Sequence, residues 1–196
     1  MSREAKVERE TNETAILVRL SLDESEPCQV ETGIAFLDHM LQAFAKHGRF
    51  ALTVRAKGDL QVDAHHTMED LGLVLGQALR EALRDKSGIE RFGSAAVPMD
   101  DALARVVIDL SGRPYLGYRV QPHTMEAGGV NVRLFREFFQ ALVNTGGLTL
   151  HIDLLAGEEI HHILEAVFKA FGRALAQAVR VDPRVHGVPS TKGVLG

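Results

Sequence analysis

Apolar residues recur along this chain in two rhythms, and the rhythms alternate. Ala15 to Leu22, AILVRLSL, is rich in β-branched and aliphatic residues and predicts a strand. Past Glu26-Pro27 and Gly33, residues Phe36, Leu37, Met40, Leu41 and Phe44 follow helical spacing, and Gly48 stops the helix. Phe50 to Val54 alternates as a strand does. Leu60 to Val62 is expected to be a short strand after the Gly58-Asp59 turn, and a helical pattern then runs from His66 to Leu83. Ser87-Gly88 ends that helix, and Ile89 to Asp101 is read as a connection. The order then repeats. Leu103 to Leu110 and Tyr115 to Val120 predict strands, and Gly128-Gly129 a turn. Val132 to Val143 predicts a helix, Leu148 to Leu154 a strand, and Ile160 to Val179 a helix. The tail, VHGVPSTKGVLG, has loop composition.

The repeat extends to individual residues. His65-His66-x-x-Glu69 matches His161-His162-x-x-Glu165 at an offset of 96, as do Gly76 with Gly172 and Ala78-Leu79 with Ala174-Leu175. LQAFAKHGRFALTV matches FQALVNTGGLTLHI at an offset of 98, and Leu20-Ser21 matches Leu110-Ser111 at 90. The prediction is an α+β fold built as one domain from two similar halves, about 1–92 and 93–196. Each half is expected to be an antiparallel sheet covered by helices on one face.

Composition narrows the function classes. The 196 residues are 45% apolar and 24% charged, enough for a normal buried core. A formal charge of −4 with interspersed signs argues against a nucleic-acid surface. No run approaches the ~18 apolar residues of a membrane span, so no membrane partner is expected. The polar start, MSREAKVERETNET, has no secretory core. Cys28 is the single cysteine, which excludes an intrachain disulfide and fits a reducing, cytoplasmic setting.

The two His-His-x-x-Glu cassettes carry the chemistry. Neighbouring residues on a helix point ~100° apart, whereas i and i+4 share a face. His65 can therefore pair with Glu69 and His161 with Glu165, leaving His66 and His162 aimed elsewhere. The simplest arrangement is two metal ions, each taking a pair from one half and the odd histidine from the other. His39, in DHM, has Glu137 as its counterpart at the offset of 98. One site is then His39, His66, His161 and Glu165, and the other Glu137, His162, His65 and Glu69. Imidazole and carboxylate ligands without thiolate suit Mn²⁺ and fit a closed structural zinc site poorly.

RETNET (Arg9 to Thr14), GIAFLDHML (from Gly33), AHHTMEDLG (from Ala64), RFG (from Arg91), DLSGRPYLGY (from Asp109), HHILEAVFKAF (from His161) and PSTKGVL (from Pro189) stand in an order that resembles imidazoleglycerol-phosphate dehydratase, a lyase of histidine biosynthesis. The resemblance covers nearly the whole chain. It implies a duplicated fold of the ribosomal protein S5 domain 2-like type, two Mn²⁺ ions per active site, and a homo-oligomer of 24 subunits with sites between chains. Carried over, the metal ligands are His39, His65, His66, Glu69, His161, His162 and Glu165. Many relatives have histidine where this chain has Glu137, so altered affinity is expected at that position. The implied reaction removes water from D-erythro-1-(imidazol-4-yl)glycerol 3-phosphate to give 3-(imidazol-4-yl)-2-oxopropyl phosphate, with the substrate bound as imidazolate. Glu10 is the implied proton carrier. Arg91, Arg113, Lys169, Ser190, Thr191 and Lys192 are the implied phosphate contacts, and His47 a further substrate contact. A dinuclear phosphate-ester hydrolase and a metal-storing protein are the competing readings. The first would release inorganic phosphate. The second gives the Arg and Lys loops no task. At 196 residues the chain is expected to be monofunctional.

Overall fold

The structure is a computed structural model and describes residues 2–195. The first half runs β1 (Glu4–Glu10), β2 (Thr14–Ser21), β3 (Cys28–Glu31), α1 (Ala35–Gly48), β4 (Ala51–Gly58) and α2 (His65–Leu83). The second runs β5 (Phe92–Met99), β6 (Ala102–Asp109), β7 (Tyr115–Arg119), a small hairpin β8 (Glu126–Ala127) and β9 (Val130–Asn131), α3 (Arg133–Gly146), β10 (Thr149–Ala156) and α4 (Ile160–Ala178). The sheets have strand orders β1-β2-β4-β3 and β5-β6-β10-β7. Element for element these are one topology used twice, with the β8–β9 hairpin added to the second copy. That hairpin turns through Gly128 and Gly129, both at positive φ (57° and 79°), as a tight two-residue turn requires.

The central strands β2 and β6 bury alternate residues. Ile16, Val18 and Leu20 of β2 and Ala104, Val106 and Ile108 of β6 point inward, while Arg19, Arg105 and Val107 point outward. The helices cover the inner faces. α2 lies on β1 and β2, α1 on β3, α4 on β5 and β6, and α3 on β7. The helix layers of the two halves then meet, α1 against α4 and α2 against α3. Their apolar stripes form one continuous core, with Phe135, Phe138, Phe139, Phe168 and Phe171 packed edge-on and tilted at its centre.

The two helix contacts are built alike. A Cβ on Gly172 would lie 2.4 Å from the Phe44 carbonyl oxygen and 2.9 Å from the Gly48 nitrogen. One on Gly76 would lie 2.3 Å from the Leu142 carbonyl oxygen and 2.9 Å from the Gly146 nitrogen. Glycine is needed at both places because backbone meets backbone there, and these are residues that the sequence repeat pairs.

The fold corrects three expectations and adds a strand, β1, that the sequence did not predict. The sheets are mixed rather than antiparallel, because β3 runs parallel to β4 and β7 parallel to β10, each pair joined through a helix. β1 forms from a segment with only Val7 fully buried, so its polar sequence hid an edge strand. Residues 89–101 are not merely a connection, since Phe92–Met99 pairs along β6. Leu60 to Val62 is a turn, closed by the Val62 amide donating to the Asp59 carbonyl, and both apolar side chains stay exposed.

Candidate metal centre and substrate site

The helix-face argument is realised in both cassettes. His65 Nε2 lies 3.5 Å from Glu69 Oε2, and His161 Nε2 lies 3.2 Å from Glu165 Oε2. Because α1 packs on α4, His39 Nε2 comes within 3.4 Å of the same Glu165 oxygen. His39, His161 and Glu165 each offer a donor atom within 4.8 Å of the others. Among the described residues this is the one such grouping of three. Glu165 is buried while both imidazoles keep 46% of their side-chain surface open, so the carboxylate floors a site that faces outward.

Burial pushes the Glu165 carboxyl up, but Lys169 and His39 outweigh it and hold the group below its ordinary range. Lys169 Nζ lies 2.8 Å from Glu165 Oε1, one helical turn on. The donors fit a divalent cation by chemistry and placement. Two imidazoles and a carboxylate converge on one point, and the carboxylate stays ionised.

On α2 and α3 the counterparts form no such grouping among the described residues. Glu137 stands on α3 where His39 stands on α1, and its Oε1 accepts from the neighbouring Arg136 at 3.1 Å. His65 borders an open cleft of about 710 Å³ that Leu60, Asp63, Glu126 and Leu134 also line.

The odd histidines turn away, as the helix argument requires, and each finds carboxylates. His66 Nδ1 lies 3.0 Å from Asp59, and its Nε2 lies 3.8 Å from Glu13. His162 Nδ1 lies 2.6 Å from Asp101, and its Nε2 3.5 Å from Asp100. Asp59 raises the His66 pKa and Asp101 raises that of His162, chiefly by hydrogen bonding. Asp101 also accepts from the Glu158 and Glu159 amides, so the β5–β6 hairpin tip fixes the start of α4. Neither odd histidine joins the ligand cluster of the other half within one chain.

Sequence reasoning missed Asp59, Asp100, Asp101 and Glu13. Glu13 had a signal, since RETNET holds two glutamates. Glu10 ends β1, exposed, whereas Glu13 in the following turn faces His66.

The expected phosphate contacts divide into two groups. Lys169 lies beside the His39–His161–Glu165 cluster, and His47 is near enough to feel its charge. Burial lowers the His47 pKa, and Lys169 and Arg173 lower it further. Arg91 and Arg113 gather instead around Asp109. Arg91 donates to Asp109 at 2.7 and 3.1 Å and to the Pro189 carbonyl at 3.0 Å, beside Ser190, Thr191 and Lys192. Arg113 Nη2 stands 3.8 Å from Asp109. The Arg91 amide donates to the Ala178 carbonyl at the far end of α4.

A model of the family described as imidazoleglycerol-phosphate dehydratase matches residues 32–175. The chain belongs to the imidazoleglycerol-phosphate dehydratase family. Curated dehydratases from Geobacter metallireducens and Lacticaseibacillus casei are each 54% identical, over 195 and 193 residues. The alignments cover 100% and 98% of this chain and 100% of each relative. The dehydratase structure from Staphylococcus aureus subsp. aureus N315 matches at 40% identity and a TM-score of 0.83, covering 91% of this chain and 99% of that one. That of Pyrococcus furiosus, in complex with (S)-C348, matches at 41% identity and 0.84, covering 96% and 100%. This chain is therefore a dehydratase, a lyase of histidine biosynthesis, and has the family's two-sheet α+β fold. Among the described residues, no helix is long and apolar enough to cross a membrane.

Proposed function

We propose that the chain converts D-erythro-1-(imidazol-4-yl)glycerol 3-phosphate to 3-(imidazol-4-yl)-2-oxopropyl phosphate and water, in a cytoplasmic homo-oligomer with two Mn²⁺ ions per site. The observation that carries this reading is the convergence of His39, His161 and Glu165 beside Lys169. His39, His161 and Glu165 with a His66 would hold one ion, and His65, Glu69 and Glu137 with a His162 would hold the other. When bound, the ions supply Lewis-acid polarisation of the substrate imidazole.

The chain's own residues do the rest. Glu165 stays ionised against Lys169, so it keeps a negative charge at the donor cluster. Lys169 and His47 stand where they can meet the substrate phosphate. Of the two RETNET glutamates, Glu13 has the carboxylate near a ligand histidine, and the reading gives it the proton transfer that resemblance assigned to Glu10.

Spacing supports assembly from several chains. Glu165 and Ala178 stand about 20 Å apart along α4, at 1.5 Å per residue. Arg91, Arg113 and the Ser190–Lys192 loop lie at the Ala178 end. A three-carbon phosphorylated side chain does not span that distance. The reading is that a neighbouring chain brings these cations, and the odd histidine, to each metal cluster. It extends to the 24-subunit assembly expected from the resemblance.

Purified, Mn²⁺-loaded protein given the imidazole glycerol phosphate is expected to form the ketone without releasing inorganic phosphate. Phosphate release would identify a hydrolase and overturn the proposal, as would stoichiometric Mn²⁺ binding with no turnover.

A further inference from the structure

We propose that Asp70, the last residue of HHTMED, is a positioning residue that docks the β1–β2 hairpin onto α2 and so sets Glu13 against His66. The inference rests on the role given to Glu13 above. Asp70 is a buried carboxylate, 9% exposed, with both oxygens engaged. Oδ1 accepts from Arg9 Nε at 3.0 Å, and Oδ2 accepts from the Thr14 hydroxyl at 2.5 Å. Arg9 precedes the hairpin turn and Thr14 follows it, so a single side chain grips both legs of the loop that carries Glu13.

The turn between them is tied internally. The Thr11 amide donates to the Thr14 carbonyl at 2.8 Å, and the Thr11 hydroxyl accepts from the Glu13 and Thr14 amides at 3.1 and 3.0 Å. The Glu13 carbonyl accepts from the Asp59 amide at 3.1 Å. The turn is thus one small body with its attachment points at Asp70 and Asp59. Asp70 lies four residues after His66, hence on the same helix face. A hairpin held at Asp70 must place its tip over His66, and Glu13 is found there at 3.8 Å.

The second half does this differently. The residue matching Asp70 at an offset of 96 is Ala166, and the carboxylate that ties hairpin to helix is Asp101, on the hairpin itself. The duplication kept the metal-binding face and exchanged the side that supplies the anchor. Asp70 therefore has a task that metal binding does not explain.

The test uses Mn²⁺-loaded, assembled enzyme carrying Asp70→Asn, Arg9→Gln, both together, or Glu13→Gln. Asparagine keeps the size of Asp70 and an acceptor for Thr14 but loses the charge that holds Arg9. Arg9→Gln is the second route, because Arg9 is partly exposed and its replacement leaves the core intact. Expected for Asp70→Asn and for Arg9→Gln is a kcat lower by about 10–100-fold, the scale of an ångström of misplacement. KM and Mn²⁺ per chain should stay within about twofold, and faster amide exchange should be confined to residues 10–14. The double variant should be no slower than the worse single one, because both remove one contact.

Unchanged kcat in Asp70→Asn and Arg9→Gln overturns the proposal. So does lost kcat accompanied by lost Mn²⁺, or by faster exchange throughout α2, since that marks a merely structural role. Glu13→Gln separates this from the reading beneath it. If Glu13→Gln turns over normally, the role of Glu13 falls and this inference with it. If Glu13→Gln is dead while Asp70→Asn with a loosened hairpin is active, the positioning role alone falls.

Discussion

The paired glycines at the helix crossings offer a test that separates the two proposed metal clusters. In Gly172→Ala the new methyl would sit 2.4 Å from the Phe44 carbonyl oxygen, and in Gly76→Ala 2.3 Å from that of Leu142. Close carbon–oxygen contacts settle at about 3.3–3.6 Å, so each helix pair must part by about 1 Å. The obstacle is backbone in both cases and cannot rotate aside. Alanine gains ~1 kcal/mol over glycine in helix propensity. Overpacking costs about 1–3 kcal/mol. The net loss is then up to ~2 kcal/mol, or a melting temperature lower by up to ~8 °C for a domain of this size. The metal effect should be the larger one. Parting α1 from α4 moves His39 away from His161 and Glu165, whose mutual distance is fixed within one helix. Metal sites tolerate about ±0.2 Å in ligand distance. Gly172→Ala should therefore weaken one class of Mn²⁺ by at least the 10–100-fold typical of supporting-residue changes. Gly76→Ala should weaken the other, at α2 and α3. Mn²⁺ titration followed by electron paramagnetic resonance resolves the two classes. Two ions per site retained at parent affinity in both variants would refute the argument that these crossings set the ligand spacing.

Two further outcomes follow from other contacts. Stripping the metal with a chelator should lower the melting temperature, and Mn²⁺ at a hundred times its dissociation constant should restore about 2.7 kcal/mol; an unchanged melting curve would show that the clusters hold no ion in the folded protein. On the outer face of the second sheet, Arg119 and then Arg105 hold the Asp153 carboxyl below its ordinary range against the opposing effect of burial. A lowered folded-state pKa gives stability that is present above the unfolded value near pH ~4 and is lost as pH falls through the folded value. Asp153→Asn should be less stable at neutral pH and lose less stability on acidification below pH ~4, measured by urea unfolding across pH; equal slopes in the two proteins would contradict this.

How much of the molecule could be read from the residues depended on the range of the interaction involved. The i,i+4 pairs His65–Glu69 and His161–Glu165 are local consequences of helix geometry, and both distances agree with the expectation. The duplication was legible because the close backbone approach at Gly76 and Gly172 permits no other side chain. β1 and β5 were hidden because an edge strand buries little; Val7 is the one fully buried residue of β1, so no alternation marked it. The anchors of the odd histidines were hidden by distance in sequence. Glu13 meets His66 only because the β1–β2 hairpin folds over α2, and Asp101 meets His162 only through the β5–β6 turn. No spacing rule reaches across such loops.

If the proposed two-ion site is right, the same geometry requires a duplicated chain to assemble with copies of itself. Helix faces send His65 and Glu69 one way and His66 another, so a ligand pair and its odd histidine cannot close on one ion from the same helix. Within the chain His39 completes a trio on α4, but His66 is held by Asp59 at the foot of its own hairpin. A site that needs both must take His66 from a second chain whose hairpin stands over the first chain's α4. The hairpin carries Glu13 with it. On the proposed function, whatever brings His66 as fourth ligand also brings Glu13, the proposed proton carrier, and an isolated subunit should lack both. Diluting the enzyme until it dissociates should abolish turnover and weaken metal binding together, at one protein concentration. Loss of one well before the other would mean that His66 and Glu13 do not arrive as a unit.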